Sequence, residues 1–132
     1  MTDSTTVPES PVTDPANDSR SGFGVHAKTS RDVVVVSATG DVDALTAPRL
    51  QDAITEALGV ASTALVVDLT EVEFLSSAGM SVLMAGYRQA DPELAFCVVA
   101  DGPFTDRPMR MIGLDRELRL YPTLSSALED LR

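Results

Sequence analysis

From Phe23 onward, strand-like and helix-like patterns replace one another along the whole chain, and this alternation narrows the fold more than any other feature. Phe23–Thr29 and Val33–Ala38 are short β-prone stretches separated by the turn signal Ser30-Arg31-Asp32, which predicts a hairpin. Thr46 stands where a helix cap is expected, with Pro48 in the first turn, where its missing N–H costs nothing. Leu50, Ile54, Ala57, Leu58 and Ala61 then recur at helical spacing. Ala64–Asp68 suits a buried strand. Ser77 to about Ala90 predicts a helix with Met80, Leu83, Met84 and Tyr87 inward, stopped by Asp91-Pro92. Leu94–Ala100 predicts a further strand, Thr105 to about Ile112 a short helix closed by Gly113, and Glu117–Tyr121 a last strand. Thr123 caps a final helix with Leu124, Ala127, Leu128 and Leu131 on one side. The expected fold is α/β: a mixed, mostly parallel sheet of about five strands with about four helices, the hairpin supplying the antiparallel pair.

Residues 1–22 break from this pattern. They are rich in Ser, Thr, Pro and Asp and hold no apolar stretch, so they predict a disordered tail rather than a signal peptide, with one domain over residues 23–132. At 44% hydrophobic, the 132-residue chain has enough apolar material for a core. Its 10 basic residues against 20 acidic ones give a net charge of −10, which repels phosphate backbones and anionic lipid. Nucleic acid and membrane are therefore not expected partners; a basic protein surface is. Cys97 is alone, so no disulfide framework or Cys-based zinc site arises, and its mid-strand place between Phe96 and Val98 predicts a buried, inert thiol. A cytoplasmic protein is expected.

In such sheets, sites form at the carboxyl ends of strands, in the loops entering helices. Two segments qualify, Gly40–Pro48 and Glu73–Met80. In the second, apolar Phe74 and Leu75 are expected to pin the loop to the core. Ser76, Ser77, Ala78 and Gly79 follow, small residues that let another protein approach closely. A Ser hydroxyl there lies near the open N–H groups of a helix, which accept an anion. A phosphate would leave the fold intact and change the surface. A plain N-cap role explains the same Ser. In the first segment, Asp41 and Asp43 can pair with a partner's Arg or Lys, ligate a metal, or satisfy turn N–H groups. Asp68, ending its strand, is expected to cap or buttress the Ser loop. Catalysis has no support: there is no G-x-S-x-G elbow, and the lone His26 lies in the first strand. No Gly-rich phosphate loop is present and no cofactor is expected.

Taken in order, Gly40-Asp41-Val42-Asp43, Pro48-Arg49-Leu50, Val66-Val67-Asp68-Leu69 and Phe74-Leu75-Ser76-Ser77-Ala78-Gly79-Met80 resemble the STAS domain family, specifically the bacterial anti-sigma factor antagonists. The resemblance covers about Phe23 to Arg132. It implies a domain that binds an anti-sigma factor, itself a serine kinase with an ATP-binding fold, and so releases a sigma factor. It further implies that phosphorylation at the entry to the second helix abolishes binding and that a phosphatase restores it. The phosphoacceptor matches Ser77, with Ser76 a second candidate, since the family's usual Asp-Ser here reads Ser76-Ser77. The implied partner surface comprises Asp41, Asp43, Thr46, Ser76, Ser77, Gly79 and Met80. The alternative is a ligand-sensing or scaffold STAS domain within a larger signalling assembly.

Overall fold

Two adjacent strands begin the domain because Arg31 accepts a left-handed backbone (φ 59°), which closes a two-residue turn between Ser30 and Val33. In this computed structural model, which describes residues 22–131, β1 (Gly24–Ser30) pairs antiparallel with β2 (Val33–Val42). The expected tail, apart from Gly22, lies outside the described residues. Every later strand adds in parallel: β3 (Ala64–Leu75), β4 (Ala95–Val99) and β5 (Arg119–Tyr121), in the order β1-β2-β3-β4-β5. Between them lie α1 (Ala47–Leu58), α2 (Ser77–Gln89) and α3 (Asp106–Met111), and α4 (Leu124–Asp130) follows β5. A short 3₁₀ turn, Leu114–Arg116, follows α3.

Strand order equals chain order, so each right-handed crossover steps the same way and lays its helix on the same face. Accordingly Leu50 and Ile54 of α1, Leu83 of α2 and Met109 of α3 share one core with Val34, Val36, Leu65, Val67 and Leu69. Each such fully buried aliphatic side chain contributes about 1.5–3 kcal/mol. Among the described residues the opposite face is covered by α4 alone, whose Ala127 packs on Val66, Cys97 and Val99. Thr123 and Ser126 form a reciprocal capping box that starts α4. The Tyr121 hydroxyl donates to Asp130 near the helix end.

Several boundaries differ from expectation. β2 runs on to Val42 and β3 to Leu75, so Gly40–Val42 and Val72–Leu75 are strand, not loop. The two extensions hydrogen-bond each other past register shifts at Ser37/Thr39 and Gly40/Asp41. Tyr87 faces outward, its ring meeting Phe96 edge-on with centroids 6.3 Å apart. Asp68 lies within β3, where its carboxylate accepts from the N–H and hydroxyl of Thr70, so it does not buttress the Ser segment.

Gly40 holds φ at +85°, and a Cβ there would stand 2.4 Å from the Gly22 carbonyl oxygen. The chain entering β1 crosses β2 at a place only glycine allows. Gly40→Ala is expected to cost about 2 kcal/mol or more, from left-handed strain plus backbone overlap, read as a lower midpoint in urea with unchanged slope.

Candidate functional site

The extended ends of β2 and β3 carry both candidate segments to one edge of the sheet. Asp41 is paired with Phe74 and Val42 with Leu75, and the Ser76 N–H donates to the Val42 carbonyl at 2.9 Å. The Leu75 N–H donates to the Phe104 carbonyl at 3.1 Å, tying in the loop that precedes α3. Three strand-to-helix connections therefore meet around the mouth of α2.

The first connection is built on Asp43. Its carboxylate accepts the N–H groups of Leu45 and Thr46, each at 3.0 Å. Thr46 answers by accepting the Asp43 N–H at 2.9 Å, while its hydroxyl lies 2.8 Å from the Asp41 carbonyl. Of the three readings open for this carboxylate, satisfying the turn is the one its contacts fulfil. The Thr46 N–H, more than any other contact, holds the Asp43 carboxyl below its ordinary value of 3.8. Thr46 occupies the cap position of α1 with no side-chain bond to the helix, its carbonyl alone accepting from Arg49 and Leu50, and it is buried at 4% exposure. Its place on a partner surface is corrected: it braces the loop from inside. The half-buried carboxylate of Asp41 has no hydrogen bond among the described residues. Nor do any three His, Cys, Asp or Glu side chains among them converge on a metal position.

At the second connection the two serines divide the work. Ser76 is the N-cap, with extended backbone and a hydroxyl that accepts the Gly79 N–H at 3.3 Å. Ser77, first residue of α2, is exposed, and its hydroxyl makes no hydrogen bond among the described residues. Gly79 is buried rather than presented to a partner. A Cβ there would stand 2.6 Å from Leu75 Cδ1 and 2.7 Å from Val42 Cγ1, so the first turn of α2 rests directly on the strand ends. Met80 is half-buried and borders, with Ser77, Met84, Arg88 and Ile112, an open groove of about 330 Å³.

Around these positions stand apolar side chains that sequence reasoning missed. Leu45 is 86% exposed, Phe104 60% and Phe74 47%. Phe74, expected to pin the loop inward, faces solvent because β3 continues through it and its side chain falls on the outer face; Leu75, next along, is buried. The available signal was Phe104 in a Gly-Pro loop and Leu45 beside two carboxylates, each an apolar residue where turns are polar. Cys97 is fully buried, and burial pushes its thiol up to about 11, so thiolate chemistry is suppressed.

No helix among the described residues is long and apolar enough to cross a membrane. A family model described as "Mlab, STAS domain" matches residues 25–122. The anti-sigma-F factor antagonist RsfB of Mycobacterium tuberculosis is 43% identical over 100 residues, covering 76% of this chain and 82% of RsfB. The crystal structure of an anti-sigma factor antagonist from Mycobacterium paratuberculosis superposes with a TM-score of 0.80 at 43% identity, spanning 83% of this chain and 94% of that one. The unphosphorylated form of the anti-sigma factor antagonist SpoIIAA shares the fold, with a TM-score of 0.67 at 18% identity over 83% of this chain and 96% of its own.

Two predictions follow from the packing. Gly79→Ala gains about 1 kcal/mol of helix propensity but overpacks Leu75 and the stiff Val42 by about 1–3 kcal/mol, so a net loss is expected in thermal unfolding. Asp43→Ala removes a turn acceptor and is expected to cost about 1 kcal/mol at neutral pH. Because the folded pKa is depressed, that contribution is complete above 3.8 and is lost as pH falls through the folded value. The stability difference between wild type and Asp43→Ala should shrink on acidification, and a pH-independent difference would refute the role given to the charge.

Proposed function

The chain belongs to the STAS domain family, and from that membership we propose that it is an anti-sigma factor antagonist, binding an anti-sigma factor with a kinase-type ATP-binding fold so that a sigma factor is freed. The 43% identity to RsfB supports this reading. The chemistry of the site agrees with a docking role. Exposed Leu45, Phe74 and Phe104 offer apolar anchors, and Asp41 offers a half-buried carboxylate to a basic partner side chain. A cytoplasmic location follows from such a partner.

The observation that carries the regulatory half is the difference between adjacent hydroxyls. Ser76 is engaged as the cap of α2, whereas Ser77 is exposed and its hydroxyl has no partner among the described residues. Phosphate on Ser77 would leave the cap in place and meet the positive end of α2, a 13-residue helix, so the fold tolerates it. It would also put about −1.5 to −2 charge beside the apolar anchors, and an acidic chain already favours basic partners. Ser77 is thus the acceptor and Ser76 the structural residue. A serine kinase, the anti-sigma factor itself, adds the phosphate and a phosphatase removes it. Asp43 and Gly79 contribute to binding by holding the loop and the helix mouth.

Calorimetric titration with the cognate anti-sigma factor tests both halves. Ser77→Asp is expected to weaken binding by about 1–3 kcal/mol, and Ser77→Ala to bind like wild type and resist inactivation by ATP and kinase. Phosphate found by mass spectrometry on Ser76 instead, or wild-type binding by Ser77→Asp, would remove Ser77 from the mechanism.

A further inference from the structure

Among the described residues the long edge of the sheet is open: β1 pairs only with β2, and α1, though it touches β1, leaves Ala27 and Thr29 exposed. Ala27 is paired with buried Val36 and Thr29 with buried Val34, so both side chains lie on the helix-covered face, yet both are exposed. Between this strand and α1 runs an open groove of about 730 Å³, floored by Val34, Ala53 and Ala57. Val60, 67% exposed, stands at one end, and the carboxylates of Asp52 and Glu56 stand along the α1 wall. Residues flanking a two-residue hairpin turn form a mutually hydrogen-bonded pair, and the alternation then repeats along the ladder. Counting back from Ser30 and Val33, the N–H and C=O groups of Val25, Ala27 and Thr29 point outward, away from β2.

We propose that this groove is a second docking site, separate from the Ser77 surface, which takes an extended segment of another protein as an added strand on β1. The segment carries Lys or Arg at alternate positions. Backbone groups of Val25, Ala27 and Thr29 supply the ladder, and alternate side chains fall on the α1 side. Long basic side chains fit there, their stems covering the alanine and valine floor and their heads reaching Asp52 and Glu56. Charge selects among occupants. A second copy would bring its own Asp52 and Glu56 against these and adds to a net charge of −10 on each chain. Residues 1–21 of the same chain carry Asp3, Glu9, Asp14 and Asp18, and Pro8, Pro11 and Pro15 deny a strand its donors.

The probe is a capped octapeptide of alternating Lys and Thr, titrated into the ¹⁵N-labelled full chain up to ~2 mM, a range that detects even weak association. The expected result is amide shift changes largest at Val25, Ala27 and Thr29 and along Asp52–Val60. Affinity should fall about tenfold or more with the same octapeptide methylated at every backbone nitrogen, which keeps its charge but cannot donate to a ladder. The same loss is expected for Ala27→Pro, which removes an outward N–H and leaves the β1–β2 pairing, and for the double variant Asp52→Lys, Glu56→Lys. Thermal melts establish that these variants fold, and Ser77→Asp should bind the octapeptide like wild type. Absent shifts at β1, equal affinity for the N-methylated peptide, or self-association of the chain through β1 in sedimentation would each overturn the proposal.

Discussion

The first turn of α2 lies against the ends of β2 and β3 with no side chain between, because residue 79 is glycine and Val42 and Leu75 fill the space a Cβ would need. That contact sets the height of Ser76 and Ser77 above the sheet. It also requires β2 and β3 to run on together past Asp68, since their last residues form the platform. Phe104 joins the same platform through its carbonyl, and the Asp43–Thr46 turn closes the other side. Movement of the platform would shift three loops at once. A surface assembled from separate loops can be rigid only if something beneath them is close-packed, and here that something is a helix turn on strand ends.

Much of this was legible in the residues. The hairpin, the alternation, the five strands and the four helices follow from periodicity and turn chemistry, and the Thr123 cap and Gly113 stop are where they were expected. The strand extensions were not legible, because Thr70, Glu71 and Glu73 interrupt the apolar run and read as loop; they are strand since β2 offers a pairing edge at the same depth. Thr46 looked like an exposed cap and is an internal brace, a difference set by which neighbour its hydroxyl finds. The roles of Ser76 and Ser77 could not be separated by residue type. One dihedral, the extended ψ of 173° at Ser76, decides which hydroxyl turns into the helix. Phe74 shows the same limit in reverse, as apolarity alone does not say which face of a strand a residue occupies.

The two faces of the sheet are treated unequally for a topological reason. Three crossovers of one hand, stepping one way, put α1, α2 and α3 together, and among the described residues only α4 is left for the other side. The thick layer carries the core and the loops that enter its helices. α4 shields Cys97 and Val99 and is tied to β5 through Tyr121 and Asp130. The outermost strand, β1, receives the least cover on either side, and polar His26, Lys28 and Ser30 there keep the edge from pairing indiscriminately.

A sheet whose strands lie side by side in the order of synthesis has a kinetic meaning as well. Each new strand finds its neighbour already in place, so most pairings span a single helix of intervening chain and loop closure stays inexpensive. The hairpin emerges first and templates β2 for β3, which templates β4. α4 is made after every strand of the sheet and, among the described residues, is the one element that covers its face. Until it docks, a nearly finished sheet keeps one apolar side bare.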